Sequence, residues 1–330
     1  MQRNLFEGIQ RRFTVGIGQF KPIKGQYPRN LERIGELMRQ SLQEGVDVLA
    51  LPETATTGYF VEGGVRELAI PAPQLLHDLA CLYADLQPDC PLDICVGFYE
   101  YRDGEYFNSA LYATLDPEPI QSSLVHVHQK FFLPTYGVFE EERFVARGRR
   151  LEVFPTRFGR AAILICEDVW HSITSTIVAL KGAQVLYVPT ASPARGFQAE
   201  QIENVEAYRR MLTQIGGEHT LYVVQSSLVG FEGGKGFVGA SWVVNPFGKA
   251  IAQGPINQEA LLVVPLDLDD VAIARAQMPL LSDLRSVVAD VAREFEQLAR
   301  EGQLIAVSRS TLHRFVKDDQ VSATSRKPIR

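Results

Sequence analysis

The feature that most constrains this chain of 330 residues is an unbroken apolar run of strand length, Ala161-Ala162-Ile163-Leu164-Ile165, stopped by Cys166, Glu167 and Asp168. A strand with one wet face alternates apolar and polar residues. A run without alternation has to be covered on both faces, as a central strand of an α/β sheet is. Open sheets of that kind gather ligands at the carboxyl ends of their strands. Cys166 therefore stands where a thiol can react rather than merely pack.

Two further strand ends carry chemistry. Val46-Asp47-Val48-Leu49-Ala50-Leu51 runs into Pro52-Glu53, and Ser122 to His128 runs into Gln129-Lys130. Taken singly, a Cys after an apolar run is most often a small core residue, a Glu after Pro a loop carboxylate, and a Lys at a strand end a solvated charge. Together they supply what a weak thiol nucleophile needs: a base to take its proton and a cation to hold the oxyanion that follows.

The spacing between these ends fits repeated strand–helix–strand units. Residues 13–20 read as a strand. Residues 28–44 read as a helix with Leu31, Ile34, Leu37, Met38 and Leu42 on one face, and the strand ending at Glu53 completes a parallel pair. A second helix is expected over 71–86, then strands over 92–100, 109–115 and 122–128. The later half repeats the theme: strand 161–166, helix 172–182, strand 185–189, helix 199–215, and strands 221–226, 241–245 and 260–266. The glycine-rich stretch Gly230 to Gly239 reads as a mobile loop near the site. It lacks the spacing of a phosphate loop. No linker separates the halves, so they are expected to share one core, as two facing sheets with helices outside. A 1–12 arm, a 13–275 catalytic domain and a 276–330 helix and tail complete the expected organisation.

Those strand ends sit in longer motifs. Leu51-Pro52-Glu53-Thr54, the stretch from His128-Gln129-Lys130 to Glu140-Glu141-Glu142-Arg143-Phe144, Ile165-Cys166-Glu167-Asp168-Val169-Trp170, and Val238 to Gly248 together resemble the nitrilase superfamily of carbon–nitrogen hydrolases. The stretch from Lys130 to Phe144 looks most like the glutaminase domain of glutamine-dependent NAD synthetases. The resemblance covers about residues 13–266. It implies a four-layer α-β-β-α sandwich and a Glu53, Lys130, Cys166 triad. It also implies a supporting second glutamate, best matched by Glu141 with Glu142 as runner-up, and substrate-side tyrosines at Tyr59 and Tyr136. The backbone N–H of Glu167 is the expected second oxyanion donor. Ser192 and Pro193, after the strand that follows the Cys-bearing one, are expected to line the same pocket.

The functional expectation is an amidase-type hydrolase that cleaves a small non-peptide carboxamide to acid and ammonia, or an amine, through a Cys thioester. The alternatives are a glutaminase subunit feeding ammonia to a separate synthetase, a nitrilase, or a catalytically silent interaction protein with the same fold. No S-G-G-x-D-S phosphate loop occurs in the sequence, which favours the free-standing amidase.

Bulk properties narrow the partners. A net charge of −6 offers no basic field for nucleic acid. No apolar run approaches the roughly 20 residues of a membrane span, and the amino terminus lacks a leader's apolar stretch, so a cytoplasmic protein is expected. The cysteines Cys81, Cys90, Cys95 and Cys166 have no zinc spacing and are read as reduced. His126 and His128 share a strand face without an evident third ligand. Neither a metal nor an organic cofactor is required. The amphipathic stretch 280–300, with Leu281, Leu284, Val287, Val288, Val291 and Phe295, together with the family's habit of dimerising, implies a homodimer or larger even oligomer.

Overall fold

A computed structural model describes residues 10–194, 197–198 and 201–301. Residues 1–9 of the expected arm, residues 199–200 of the expected helix 199–215 and the tail after Lys317 lie outside the described residues. Two compact units divide after Leu281. The first holds both sheets; the second, where described, is the greater part of the helix α7 (Leu280–Glu301).

The first sheet has the strand order β16-β1-β2-β3-β4-β5, with β1 (Arg12–Gln19), β2 (Val48–Ala50), β3 (Leu92–Arg102), β4 (Glu105–Leu115), β5 (Ser123–Gln129) and β16 (Ala260–Asp267). The second has the order β15-β14-β11-β8-β7-β6, with β6 (Phe154–Thr156), β7 (Gly159–Ile163), β8 (Val185–Thr190), β11 (Tyr222–Ser227), β14 (Trp242–Val244) and β15 (Ala250–Gln253). Each sheet is built alike. Three central strands run parallel, β1, β2 and β3 in one and β7, β8 and β11 in the other, and antiparallel strands flank them. The parallel pairs need crossovers, supplied by α1 (Tyr27–Gln43) and α3 (Ala72–Asp85) in the first half and by α4 (Ser172–Leu180) and α5 (Glu203–His219) in the second. A short α2 (Val65–Leu68), a two-strand ribbon of β9 (Phe197–Gln198) and β10 (Gln201–Ile202), and α6 (Asp269–Gln277) complete the chain.

Three apolar layers explain the stacking. Val15, Ile17, Val48 and Tyr112 of the first sheet meet Ile163, Val185, Tyr187 and Val224 of the second. Ile34, Met38, Leu75 and Leu79 cover the outer face of the first sheet against Leu49, Ile94 and Val96. Val178, Val205, Leu212 and Ile215 cover the second against Leu164, Leu186 and Val223. Strands with both faces dry account for the missing alternation in 161–165. The α-β-β-α sandwich implied by the motifs is the architecture found.

Three expectations need correction. The strand expected over 161–166 ends at Ile163; Cys166 instead opens a single 3₁₀ turn, Cys166–Trp170. The helix expected over 199–215 runs from Glu203 to His219, because Ile202 is extended and Thr220 closes the helix in a left-handed conformation. The stretch Gly230 to Gly239, expected as a loop, is mostly a hairpin of β12 (Val229–Glu232) and β13 (Lys235–Val238). Gly233 and Gly234 have φ of 54° and 76°. Two successive positive φ values are what a tight two-residue hairpin turn requires, so the glycines there form structure rather than dissolve it. All four cysteines are free. Among the described residues, no helix is long and apolar enough to cross a membrane.

One close approach sets the position of the Glu53 backbone. A Cβ on Gly97 of β3 would stand 2.5 Å from Thr54 N and 2.6 Å from both Glu53 Cα and Pro52 O. These are backbone atoms and cannot rotate aside. Gly97→Ala should therefore cost about 2–3 kcal/mol and lower the melting temperature by several degrees. Thermal unfolding followed by circular dichroism checks this, and a wild-type melting temperature would refute it.

Candidate active site

Glu53 follows β2, Lys130 follows β5 and Cys166 follows β7, so three strand ends from two sheets converge. Lys130 is fully buried. Its Nζ donates to Glu53 Oε1 at 2.7 Å and to Glu141 Oε1 at 2.6 Å. Glu53 is held from three sides: besides Lys130, Asn108 Nδ2 donates to Oε1 at 2.7 Å and the Ala191 N–H donates to Oε2 at 2.8 Å. The Tyr59 hydroxyl donates to Glu141 Oε1. Glu141 Oε2 is buried and has no hydrogen-bond partner among the described residues.

Burial alone would push the Lys130 ammonium down. The carboxylates of Glu141 and Glu53 outweigh it and hold the group charged, well above its ordinary range. The Glu141 carboxyl is pushed up to about 7 by burial, with Glu53 adding to the rise and Lys130 opposing it. The Cys166 thiol is pushed up by burial and by the Glu53 charge, against the pull of Lys130. At neutral pH the sulfur therefore rests as a thiol. Its backbone φ of 47° is left-handed, a conformation that costs a non-glycine residue about 1–3 kcal/mol and tends to collect at functional sites. The sulfur lies 3.5 Å from the Tyr208 hydroxyl, which also accepts from Trp170 Nε1 at 3.1 Å.

Asp168 fastens the two sheets' contributions to each other. Its Oδ1 accepts from the Phe131 and Phe132 N–H groups at 2.9 and 2.8 Å, just after Lys130. Its Oδ2 accepts from the Ile165 N–H at 2.9 Å, just before Cys166, and lies 2.9 Å from His128 Nε2. One carboxylate thus fixes the Lys130 and Cys166 turns in one register.

The structure separates the expected residues. Glu141 is buried against Lys130, whereas Glu142 is exposed. Tyr59 is buried on Glu141, and Lys130 Nζ lies 5.8 Å from its ring centroid. Tyr136 is exposed, and its hydroxyl donates to the Glu167 carboxylate at 2.8 and 3.0 Å. Ser192 and Pro193 do not reach Glu53; their neighbour Ala191 does. Asn204 Nδ2 instead donates to Ser192 Oγ at 3.0 Å and to the Pro193 carbonyl at 2.8 Å. A cavity of about 650 Å³ opens against Tyr59 and Glu141, with Phe60, Tyr99, Phe139 and Phe144 among its walls. Glu53, Lys130, Cys166, Tyr136, Ser192 and Pro193 are all absent from its walls, whereas Ser192 and Tyr208 line a second, much smaller pocket together. His126 stacks on Phe154 and is pushed down to about 4 by burial. Among the described residues, no group of three His, Cys, Asp or Glu side chains could hold a metal.

Sequence reasoning passed over Asn108, Asp168 and Tyr208. A polar residue inside the buried stretch 107–113 was a usable signal for Asn108. Tyr208 was hidden because it fits the apolar stripe of its helix.

Two sheets under helices, with a thiol, a lysine and two glutamates at their shared edge, define a class of thiol-bearing α/β sandwich. The match to known proteins places it more narrowly: residues 14–276 fit the carbon-nitrogen hydrolase family, and the chain belongs to it, within the nitrilase superfamily. It is 31% identical over 285 residues to the glutamine-dependent NAD(+) synthetase of Rhodobacter capsulatus, across 85% of this chain and 46% of that one. It is 26% identical over 256 residues to the N-carbamoylputrescine amidase of Solanum tuberosum, across 74% of this chain and 83% of that one. The crystal structure of a carbon-nitrogen hydrolase from Helicobacter pylori G27 superposes with a TM-score of 0.71 at 22% identity, covering 82% of this chain and 95% of the other. The chain spans about half the length of the synthetase relatives it matches.

The raised Glu141 carboxyl carries a pH signature. The folded group keeps its proton up to about 7, while an ordinary glutamate loses it near 4.5. The folded state binds more protons in that window, so this group makes the fold less stable as pH rises through it. Glu141→Gln should flatten that part of the stability-versus-pH curve. Melting temperatures across the window test the assignment; an unchanged slope in Glu141→Gln would contradict it.

Proposed function

We propose that this protein hydrolyses a small carboxamide to a carboxylic acid and ammonia, or an amine, through a thioester on Cys166. The observation that carries the reading is the buried Lys130 ammonium, held between Glu53 and Glu141, with Asp168 tying its turn to the turn that bears Cys166. Because the resting sulfur keeps its proton, attack needs a base. Glu53 takes the proton as sulfur bonds to the amide carbon. The Lys130 ammonium and the Glu167 backbone N–H hold the oxyanion. Glu53 then passes the proton to the departing nitrogen as the C–N bond breaks. Water, deprotonated by Glu53, attacks the thioester carbon; the C–S bond then breaks, the acid leaves, and Glu53 returns the proton to the sulfur. Glu141 and Tyr59 keep Lys130 aimed.

A second reading has its own support. The 31% identity to a glutamine-dependent NAD(+) synthetase extends over most of this chain, which favours glutamine as the amide and a separate synthetase as the acceptor of ammonia. Ammonia release from glutamine, compared with release from simple amides, separates the two.

Cys166→Ala should abolish ammonia release while leaving the fold intact. Lys130→Met should lower kcat by about 10²–10³, the usual effect of losing one oxyanion donor. Combined with Glu53→Gln it should lose far less than the product of the single effects, because the groups act as a unit. Turnover by folded Cys166→Ala protein would sink the mechanism. A thiol-reactive amide should label Cys166 ahead of the exposed Cys90, whereas a silent protein with this fold would show the reverse.

We also propose that the chain self-associates with two-fold symmetry, because α7 carries an apolar stripe of Val287, Val288, Val291 and Phe295 of the kind such interfaces bury. Light scattering at micromolar concentration should give an even multiple of 36.8 kDa, and a stable monomer would refute the assembly alone.

A further inference from the structure

The proposed chemistry passes over one hydroxyl at the nucleophile itself. Tyr208 stands on α5, in the apolar stripe with Val205, Leu212 and Ile215 that covers the second sheet. Its ring is buried, yet its oxygen comes to 3.5 Å from Cys166 Sγ, and Trp170 Nε1 lies 3.1 Å from the same oxygen. The two rings meet edge to face, with 5.1 Å between centroids. One turn earlier on α5, Asn204 donates to Ser192 Oγ and to the Pro193 carbonyl, directly after the Ala191 whose N–H binds Glu53. The helix is thus pinned beside the strand end that holds the base, and the Cys166–Trp170 turn grips the hydroxyl from the other side.

Donor counting fixes what the hydroxyl proton does. An indole nitrogen only donates, so the Tyr208 oxygen accepts from Trp170. The sulfur is its other partner among the described residues. In the resting thiol either atom of that pair can donate. Once the sulfur loses its proton it can only accept, and Tyr208 has to be the donor. Burial, and then the neighbouring sulfur, hold the phenol's own pKa well above its ordinary range, so the hydroxyl keeps its proton. A hydrogen bond to a charged acceptor is about twice as strong as one between neutral groups. This contact therefore gains strength as negative charge gathers on sulfur, which is when it lowers a barrier. Against burial and the Glu53 charge, which keep the proton on sulfur, it pulls the same way as Lys130.

We infer that Tyr208 is a further catalytic residue, the hydrogen-bond donor to the Cys166 sulfur whenever that sulfur carries charge, and that Trp170 is the positioning residue that aims it. The inference rests on Cys166 being the nucleophile. Charge gathers on sulfur twice. In acylation the S–H bond breaks, its proton goes to Glu53 and the sulfur pair forms the C–S bond. In deacylation the C–S bond breaks, the pair returns to sulfur and Glu53 returns the proton. The Tyr208 O–H bond stays intact through both steps.

The test is Tyr208→Phe, which removes one oxygen and keeps the ring against Trp170. Alkylation of Cys166 by iodoacetamide at fixed pH reads the thiolate without needing turnover, and the exposed Cys90 serves as reference in the same sample. The Cys166 rate should fall about tenfold: the thiol pKa rises by about one to two, partly offset by the greater nucleophilicity of a more basic thiolate. The Cys90 rate should not change, and kcat/KM for ammonia release should fall by a similar factor to the Cys166 rate. Trp170→Phe keeps the hydroxyl but frees it, and should lower both by less. Melting temperatures verify the folds. A Cys166 rate unchanged by Tyr208→Phe would overturn the inference. So would a larger loss in Trp170→Phe than in Tyr208→Phe, since packing and not the hydroxyl would then be responsible. If Tyr208→Phe does not fold, an unchanged Cys166 rate in Trp170→Phe is decisive in the same way. The hydrolysis reading fails separately, if the wild type releases ammonia from no amide, glutamine included; the alkylation rates judge Tyr208 in either case.

Discussion

The arrangement depends on one buried ammonium. An amine taken out of water loses several kcal/mol of hydration, and only close, well-directed carboxylates offset that loss. Lys130 has two, Glu53 and Glu141, and each of these is in turn fixed by neutral donors: Asn108 and the Ala191 N–H on one, Tyr59 on the other. Tyr59 has its own supports, since Tyr99 donates to its carbonyl at 2.8 Å and Glu232 accepts from its N–H. Removing any one partner leaves a charge or polar group stranded in the interior. The cluster therefore enforces the positions of β2, β4, β5, the end of β8 and the β12–β13 hairpin together.

The same logic explains the seam between the sheets. Apolar packing of Val15, Ile17, Ile163 and Tyr187 brings the sheets together but tolerates sliding, because dispersion contacts have little direction. Hydrogen bonds fix the register. Asp168 satisfies backbone donors on both sides of the seam, and the Ala191 N–H of the second sheet reaches Glu53 of the first. Non-directional burial assembles the halves, and a few directional bonds decide where the strand ends meet.

Much of this was legible in the sequence because the signals were local. The run 161–165 had to be covered on both faces, and Leu31, Ile34 and Met38 fall on one helical face whatever lies beyond it. The order Glu53, Lys130, Cys166 could be read because each residue sits at a strand end inside its own short motif. What could not be read depends on distant partners. Glu141 differs from Glu142 only in facing Lys130, and that is decided by the path of the chain from Pro134. Tyr208 fits an apolar stripe perfectly well, and nothing in its own helix reveals a sulfur beside it. The hairpin at Gly233 and Gly234 looked like a loop because glycine signals freedom in sequence yet supplies the left-handed geometry of a tight turn. The β15 edge strand, Ala250–Gln253, is mostly exposed and lacks the pattern that burial imprints.

Burial of Cys166 has a bearing on how long such a molecule survives. Oxidants attack the thiolate, and the rate of damage follows the fraction of sulfur in that form and its access to solvent. The pressure of the protein interior and of Glu53 keeps the Cys166 proton in place, so the sulfur is shielded whenever the site stands idle. Cys90 lies exposed at the surface. In an oxidising cell the first sulfenic acid should form there, ahead of the interior thiol: durability against peroxide is a by-product of burial.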